Sequence, residues 1–192
     1  MTTAYSGDGI TFPDSTVQAT APKVGMVNRL INSDMRISQR NGGASVTPTN
    51  GQYTLDRWKY YSSQTSKVSI QQNASSVTPP AGFKNYLGVT SLSAYSVTAS
   101  DYFTITQLVE GFNMADFGYG AAGASTVTLS FWVRSSLTGT FGGSLTNDAA
   151  NYAYPFTYSI SVANTWEQKS ITITGATAGT WQSTNAAGIQ VL

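Results

Sequence analysis

The stretch that decides the fold is Thr126-Val127-Thr128-Leu129-Ser130-Phe131-Trp132-Val133-Arg134. Its apolar side chains stand at every second position, and Thr, Ser, Trp and Arg occupy the positions between them. A period of two is typical of a β-strand that buries one face and exposes the other. We therefore predict a strand whose aliphatic face packs into a core and whose other face carries Trp132 and Arg134.

The same alternation recurs on both sides of this stretch. Residues 101–110 place Phe103, Ile105, Gln107 and Val109 on one face, which predicts a second half-buried strand. Further strands are predicted at residues 67–71, 86–90, 156–162 and 166–174, the last two as antiparallel neighbours.

Other segments carry weaker signals. Residues 28–40 have alternating apolar positions interrupted at 32–34, which predicts a strand with a turn or bulge. Residues 111–124 are rich in Gly and Ala and predict a long loop between strands. Gly142-Gly143 predicts a hinge or tight turn.

These elements predict an all-β domain over residues 26–192. Turn residues separate the strands, and no amphipathic helix of about 10 residues or more lies between them, which favours an antiparallel β-sandwich of jelly-roll type. Residues 189–192 are either the last edge strand or a strand at which the sequence stops before the fold does, and we favour the second interpretation.

An extended N-terminal arm is predicted over residues 1–25, because Gly and Pro are frequent there and apolar residues are few. Such a segment cannot bury itself, so we expect it to attach to other chains or to mediate oligomerisation. The residues predicted to make these contacts are Ile10, Phe12, Pro13 and Val17.

The charge of the chain excludes several partners. Charged residues make up 10% of the sequence, against about 25% in an ordinary soluble domain. The net charge is +1 with no basic stripe, so we expect no nucleic-acid partner. No apolar run of about 18 residues is present, so we expect no membrane insertion. Low charge density favours association into a homo-oligomer.

The sequence contains no histidine and no cysteine. This removes the commonest general base, the Ser-His-Asp and Cys-His arrangements and the usual zinc ligands. The acids are scattered, with no pair spaced for the carboxylate chemistry of a glycoside hydrolase. We therefore expect no enzymatic activity, no cofactor and no metal site.

The aromatic residues are the candidates for ligand or partner contact. Trp58 and Trp166 are predicted to be core residues. Trp132 lies on the polar face of its strand, where it could contact a partner, form a platform for a glycan, or pack in a core. The full set of candidate glycan-binding or partner-binding residues is Trp132, Arg134, Tyr60, Tyr61, Tyr152, Tyr154 and Trp181.

Two parts of the chain resemble phage proteins. Residues 9–21, Gly-Ile-Thr-Phe-Pro-Asp-Ser-Thr-Val-Gln-Ala-Thr-Ala, resemble a segment that recurs in phage tail-fibre and related virion proteins. Residues 28–40 and Leu55-Asp56-Arg57-Trp58 resemble a family of tailed-phage and prophage virion proteins that carry a carbohydrate-binding-like jelly roll. The resemblance continues through residues 129–134, 154–158 and 164–167, and so covers nearly the whole chain.

The resemblance implies a structural virion protein, a tail-fibre or appendage subunit that is usually a homotrimer. It implies contacts with other virion proteins, a place on the tail or capsid surface after assembly in the host cytoplasm, and, for some members, binding of host cell-surface polysaccharide. Two alternatives share these features. One is a capsid decoration or head-fibre protein, and the other is a stand-alone carbohydrate-binding adhesin module.

Overall fold

The computed structural model describes residues 27–192 and three short strands before them. These strands are β1 (Ala4–Ser6), β2 (Gly9–Thr11) and β3 (Val17–Gln18), and they form a small antiparallel sheet inside the predicted arm. Ile10 and Val17 lie in β2 and β3. Phe12 and Pro13 lie outside the described residues, and the role of the arm in assembly stays a prediction.

Residues 27–192 form β-strands joined by turns and loops. The strands are β4 (Gln52–Leu55), β5 (Trp58–Ser62), β6 (Val68–Gln72), β7 (Leu87–Ser91), β8 (Phe103–Glu110), β9 (Val127–Val133), β10 (Gly139–Thr146), β11 (Ala153–Ile160), β12 (Glu167–Ile173) and β13 (Ala187–Val191). Helical structure in this range is limited to 3-10 turns at Ala74–Ser76, Gly111–Asn113 and Ala115–Phe117. The part of the chain that the structure describes contains no helix long and apolar enough to cross a membrane. The prediction of an all-β chain of antiparallel strands is confirmed.

A six-stranded antiparallel sheet is the largest unit, with the strand order β11-β10-β13-β8-β5-β4. Strand β9 pairs with β12, and β6 pairs with β7, as separate two-stranded sheets. Strand β13 pairs with β10 on one side and with β8 on the other. Residues 189–191 therefore lie inside the sheet and not at its edge.

Two clusters of buried side chains join the small sheets to one face of the large sheet. In the first, Val109, Leu145 and Ile189 of the large sheet pack with Ile173 of β12. In the second, residues of β4 and β5 pack with residues of β6 and β7; its buried members are Leu55, Trp58, Tyr60 and Ile70. We call this side of the large sheet the inner face and the opposite side the outer face. The β-sandwich of jelly-roll type stays a prediction.

The predicted alternation holds in the two clearest strands. Along β9, Val127, Leu129, Phe131 and Val133 are partly buried, and the residues between them are exposed. Along β8, Phe103, Ile105 and Val109 pack in the two clusters, as their shared face required. The core position predicted for Trp58 is also confirmed, because 9% of its surface is exposed.

The strand predicted for residues 28–40 does not form. The chain makes turns over residues 31–34, and Asn32 and Met35 adopt positive φ angles that no strand allows. The side chain of Asn32 both accepts from the N–H and donates to the carbonyl of Ile37, which closes a local loop. An asparagine that bonds its own neighbourhood in this way favours a turn over a strand.

Two further expectations are wrong, one about strand pairing and one about a turn. Strands β11 and β12 are not neighbours, because β11 pairs with β10 and β12 pairs with β9. Residues 161–166 carry the chain from one layer to the other. Gly142-Gly143 is not a turn but lies inside β10. A Cβ atom at Gly143 would lie 2.6 Å from the ring of Phe156, so the missing side chain makes room for that ring.

Candidate functional site

The outer face of the six-stranded sheet carries a row of large side chains from β4 and β5. Tyr53 pairs with Lys59 across these strands, and Lys59 pairs with Thr106 of β8. Tyr61 pairs with Thr104 further along. Because Trp58 and Tyr60 alternate with these residues and pack into the inner face, Tyr53, Lys59 and Tyr61 share the outer face.

Two depressions follow strand β8 on this side. The larger, of about 350 Å³, is lined by Tyr61, Tyr102, Thr104, Gln190 and Leu192. The smaller, of about 110 Å³, is lined by Tyr53, Arg57, Leu108, Glu110, Asn185 and Ala187. Even-numbered residues of β8 share one face, so the depressions lie in line over roughly 20 Å from Thr104 to Glu110. We call this surface, comprising the residues of both depressions together with Lys59, the tyrosine face.

Cations contact two rings of the tyrosine face, those of Tyr53 and Tyr61. Lys59 Nζ lies 4.8 Å from the ring centre of Tyr53 and 5.9 Å from that of Tyr61. The guanidinium of Arg40 lies 5.0 Å from the ring centre of Tyr53. A cation over an aromatic face is attracted by the negative charge of the ring face. These contacts orient the tyrosines and keep positive charge at the surface.

An ion pair borders the smaller depression. Arg57 Nη2 lies 2.6 Å from Glu110 Oε1 and also donates to the carbonyl of Leu108. Burial raises the pKa of Glu110, but the hydrogen bond and the charge of Arg57 outweigh it, so that the pKa lies below its usual value. Glu110 is therefore ionised at neutral pH, and the pair offers both donors and acceptors beside Tyr53.

The chemistry of the tyrosine face is that of binding. Its rings can stack on apolar ligand faces, and its hydroxyl, amide and charged groups can bond polar ones. Glu110 is the carboxylate that lines its depressions. Residues 27–192 contain no group of three or more Asp and Glu residues that could hold a metal ion.

The structure distributes the residues predicted as candidate site residues over several surfaces. Tyr60 is 3% exposed in the core, so its ring is not available to a ligand. Tyr61 lines the larger depression of the tyrosine face. Trp132 is 38% exposed on the far side of the β9–β12 pair. Arg134 is nearby and donates to the carbonyl of Asn164, which joins two loops.

The remaining candidates lie elsewhere. The ring of Tyr152 packs over Gly179, where a Cβ atom would be 2.6 Å away. Trp181 meets the ring of Tyr119 edge-on at 4.9 Å and donates to the carbonyl of Ala178. The hydroxyl of Tyr154 donates to the carbonyl of Thr172 on β12. These predicted residues do not form one site.

Trp166, predicted as a core residue, is partly buried. Its ring lies 5.5 Å from that of Tyr86 in an edge-on arrangement, and its indole N–H donates to the carbonyl of Thr78. This contact ties the start of β12 to the loop between β6 and β7.

The sequence analysis missed Tyr53, Lys59 and Tyr102. A signal for the first two was available, since Trp58-Lys59-Tyr60-Tyr61 alternates between apolar core residues and outward residues. The Asp56-Arg57 turn then folds Tyr53 back beside Lys59. Tyr102 precedes β8, and only the sheet order places it near Tyr61.

Comparison with known proteins finds no match by sequence and a weak likeness by structure. No family model matches the chain. No curated protein matches it. A solved structure that it resembles is the enzymatically active domain of tailspike protein 4 of bacteriophage CBA120, a phage tail protein. The TM-score is 0.45 at 16% identity, and the match covers 76% of this chain and 18% of that chain.

The expectation of no enzymatic activity is withdrawn: the solved structure that the chain resembles is an enzymatically active domain, and a likeness at this TM-score assigns no activity to this chain. The expectation excluded only part of the chemistry that enzymes use. A lack of histidine and cysteine removes nucleophile–base pairs that use those residues, yet two carboxylates suffice for glycoside hydrolysis. At 16% identity the likeness transfers no site residue to this chain.

Proposed function

We propose that the chain is a subunit of a phage appendage that binds a polysaccharide along the tyrosine face of a jelly-roll sandwich. The observation that carries the proposal is the line of two depressions along β8, the larger bordered by two tyrosine rings and the smaller by one. Tyr102, at the larger depression, is 47% exposed, so a ligand can reach its ring.

The geometry suits a chain of sugars. Sugar rings present C–H groups that stack on tyrosine, and their hydroxyls need donors and acceptors. Thr104 and Gln190 supply these groups at the larger depression, and Arg57, Glu110 and Asn185 supply them at the smaller one. Both depressions are shallow and in line, so a linear polymer gains contacts that a single small molecule could not.

The appendage role is supported by the sequence. Residues 9–21, 28–40 and 55–58 resemble virion proteins, and the chain carries little charge, which favours association. We place the protein on the surface of the virion, at the tail, and a capsid decoration or head-fibre protein is the alternative. Localisation of the subunit in a map of the particle distinguishes these two places.

The binding proposal is tested with the purified chain on an array of bacterial polysaccharides. We expect Tyr61→Ala and Tyr102→Ala each to weaken binding about tenfold, which corresponds to roughly 1.4 kcal/mol. Phe83→Ala is the matched control, because it removes an exposed aromatic ring from the loop between β6 and β7, outside the tyrosine face and the β9–β12 pair. Unchanged binding in both tyrosine variants contradicts the proposal. Assay of released reducing ends shows whether cleavage follows binding.

A second surface supports the subunit role. Trp132, Leu137 and Val162 are exposed at one end of the β9–β12 pair. The loops that carry Leu137 and Val162 are joined, because Asn164 N–H donates to the carbonyl of Ser135. We propose that a second copy of the chain covers this apolar surface in a homotrimer.

Light scattering on the purified chain tests the assembly. We expect the mass of a trimer for the wild type and of a monomer for Leu137→Asp. Leu92→Asp is the control, since Leu92 is also exposed but lies in the loop between β7 and β8. A monomeric wild type, or equal effects of the two substitutions, contradicts this contact.

A further inference from the structure

The tyrosine face carries positive charge that the nearby carboxylates do not neutralise. Arg57 is paired with Glu110 at 2.6 Å. Lys59, in contrast, has no carboxylate within 4.0 Å among the residues that the structure describes. Its ammonium group lies over the rings of Tyr53 and Tyr61 instead.

Arg40 adds a second cation beside the same ring. Its Nε lies 4.0 Å from Asp56 Oδ1, while the other oxygen of Asp56 accepts the N–H of Gln39 at 2.6 Å. The side chain of Arg40 is 60% exposed, and a pair of this length at the surface stabilises little.

Both cations contact the ring of Tyr53. The ring centre is 5.0 Å from the guanidinium carbon of Arg40 and 4.8 Å from Lys59 Nζ. Two positive charges beside one ring raise the local positive potential, which attracts an anion. By comparison, Arg29, Arg36 and Lys169 have carboxylates at 2.5, 2.7 and 2.6 Å.

We propose that the polysaccharide bound by the tyrosine face is acidic. Its anionic groups contact Lys59 and Arg40, and the faces of its sugar rings stack on Tyr61 and Tyr102. The inference rests on the proposed binding function and adds the charge of the ligand. Lysine and arginine form charge-assisted hydrogen bonds with anionic groups, which neutral sugars lack, and these bonds therefore favour an acidic ligand.

The test compares polysaccharides that differ only in charge. Polygalacturonate is paired with its carboxyl-reduced form, and dextran sulfate is paired with dextran, so that carboxylates and sulfates are examined separately. We expect at least one acidic member to bind about tenfold more tightly than its neutral partner at low salt. The advantage should disappear at about 1 M salt, where the Debye length falls to about 3 Å.

Two variants assign the effect to the face. Lys59→Met keeps an apolar stem over the two rings and removes the charge, and we expect it to lose about tenfold in affinity for the acidic polymer alone. Lys84→Met is the matched control and should bind as the wild type does, since Lys84 is an exposed lysine of the loop before β7.

The outcomes separate the two proposals. Equal affinity for acidic and neutral members, or equal behaviour of the Lys59 and Lys84 variants, overturns the acidic ligand and leaves polysaccharide binding intact. Absence of binding to any polysaccharide, charged or neutral, overturns both.

Discussion

The side chain of Gln107 hydrogen-bonds both backbone groups of Ile31. The N–H of Ile31 donates to Gln107 Oε1 at 2.7 Å, and Gln107 Nε2 donates to the carbonyl of Ile31 at 2.9 Å. Gln107 is fully buried on the inner face of β8. The segment around Ile31 forms no strand, so no neighbouring strand bonds its backbone. The side-chain amide of Gln107 makes these hydrogen bonds instead and fixes the segment against the core.

Replacement of Gln107 by leucine should destabilise the protein by about 3 kcal/mol, because two hydrogen bonds are lost and the backbone groups of Ile31 are left without partners. Urea unfolding measures the change. Gln168→Leu is the control, since Gln168 is exposed on β12. Hydrogen exchange should also accelerate at residues 28–37, and unchanged exchange there contradicts the role of Gln107.

Leu30 packs against both core clusters, which places it where the two small sheets meet the large one. Leu30→Ala should lower the free energy of unfolding by about 2 kcal/mol, the lower end of the range for buried leucine. The adjacent Ile31 has a side chain that is 45% exposed. Ile31→Ala should therefore change stability by only about 0.5 kcal/mol. Equal losses in the two variants would show that Leu30 does not bridge the clusters.

Gly143 and Gly142 are adjacent in β10 but differ in surroundings. A Cβ at Gly143 would lie 2.6 Å from the ring of Phe156 and 2.8 Å from the carbonyl of Leu192. Gly143→Ala should displace these groups and cost about 2 kcal/mol. A Cβ at Gly142 meets an atom only at 3.7 Å, so Gly142→Ala should be tolerated. Thermal unfolding of both variants tests the difference.

The carboxylate of Asp101 joins the ends of several loops. Its hydrogen-bond donors are Ser63 Oγ, Gln64 Nε2, Tyr95 OH, and the N–H and Oγ1 of Thr98. The backbone N–H of Thr98, followed by Ser63 and Gln64, holds the pKa of Asp101 well below its usual value. Since the folded-state pKa is depressed, the stabilisation is present above the unfolded pKa of about 3.9 and is lost as the pH falls below it.

Asp101→Asn should therefore melt at a lower temperature than the wild type at pH 7. The difference should shrink as the pH falls below about 4, because Asp101 then takes up a proton in the unfolded wild type before it does so in the folded protein. Asp148→Asn is the control, an exposed acid in the turn between β10 and β11. A difference in melting temperature that stays constant with pH would contradict this role of Asp101.

The sequence predicted strand character well where one face is apolar. The alternating patterns that begin at Phe103 and Val127 arise because one face of each strand is buried and the other is not. Strands β8 and β9 were therefore predicted correctly. Strand β10 was not, because Gly142 and Gly143 indicate a turn until the ring of Phe156 is known to cover one of them.

The candidate site was predicted only in part. Tyr61 was identified, but Tyr60 was identified with it, although the two point to opposite faces of β5. Which face is buried depends on the layer that packs against it, and that layer comes from residues distant in the sequence. The alternation of residues 58–61 points Lys59 away from the core, but only the register places it beside both Tyr53 and Tyr61.

The central position of β13 has a consequence for the order of folding. Strands β8 and β10 do not pair with each other, and β13 fills the place between them. Until residues 187–191 have emerged from the ribosome, two strand edges with unpaired backbone groups face an open gap. Such edges template aggregation. The half-made sheet is therefore vulnerable until β13 pairs, and its closure depends on pairing between segments far apart in sequence, a slow step.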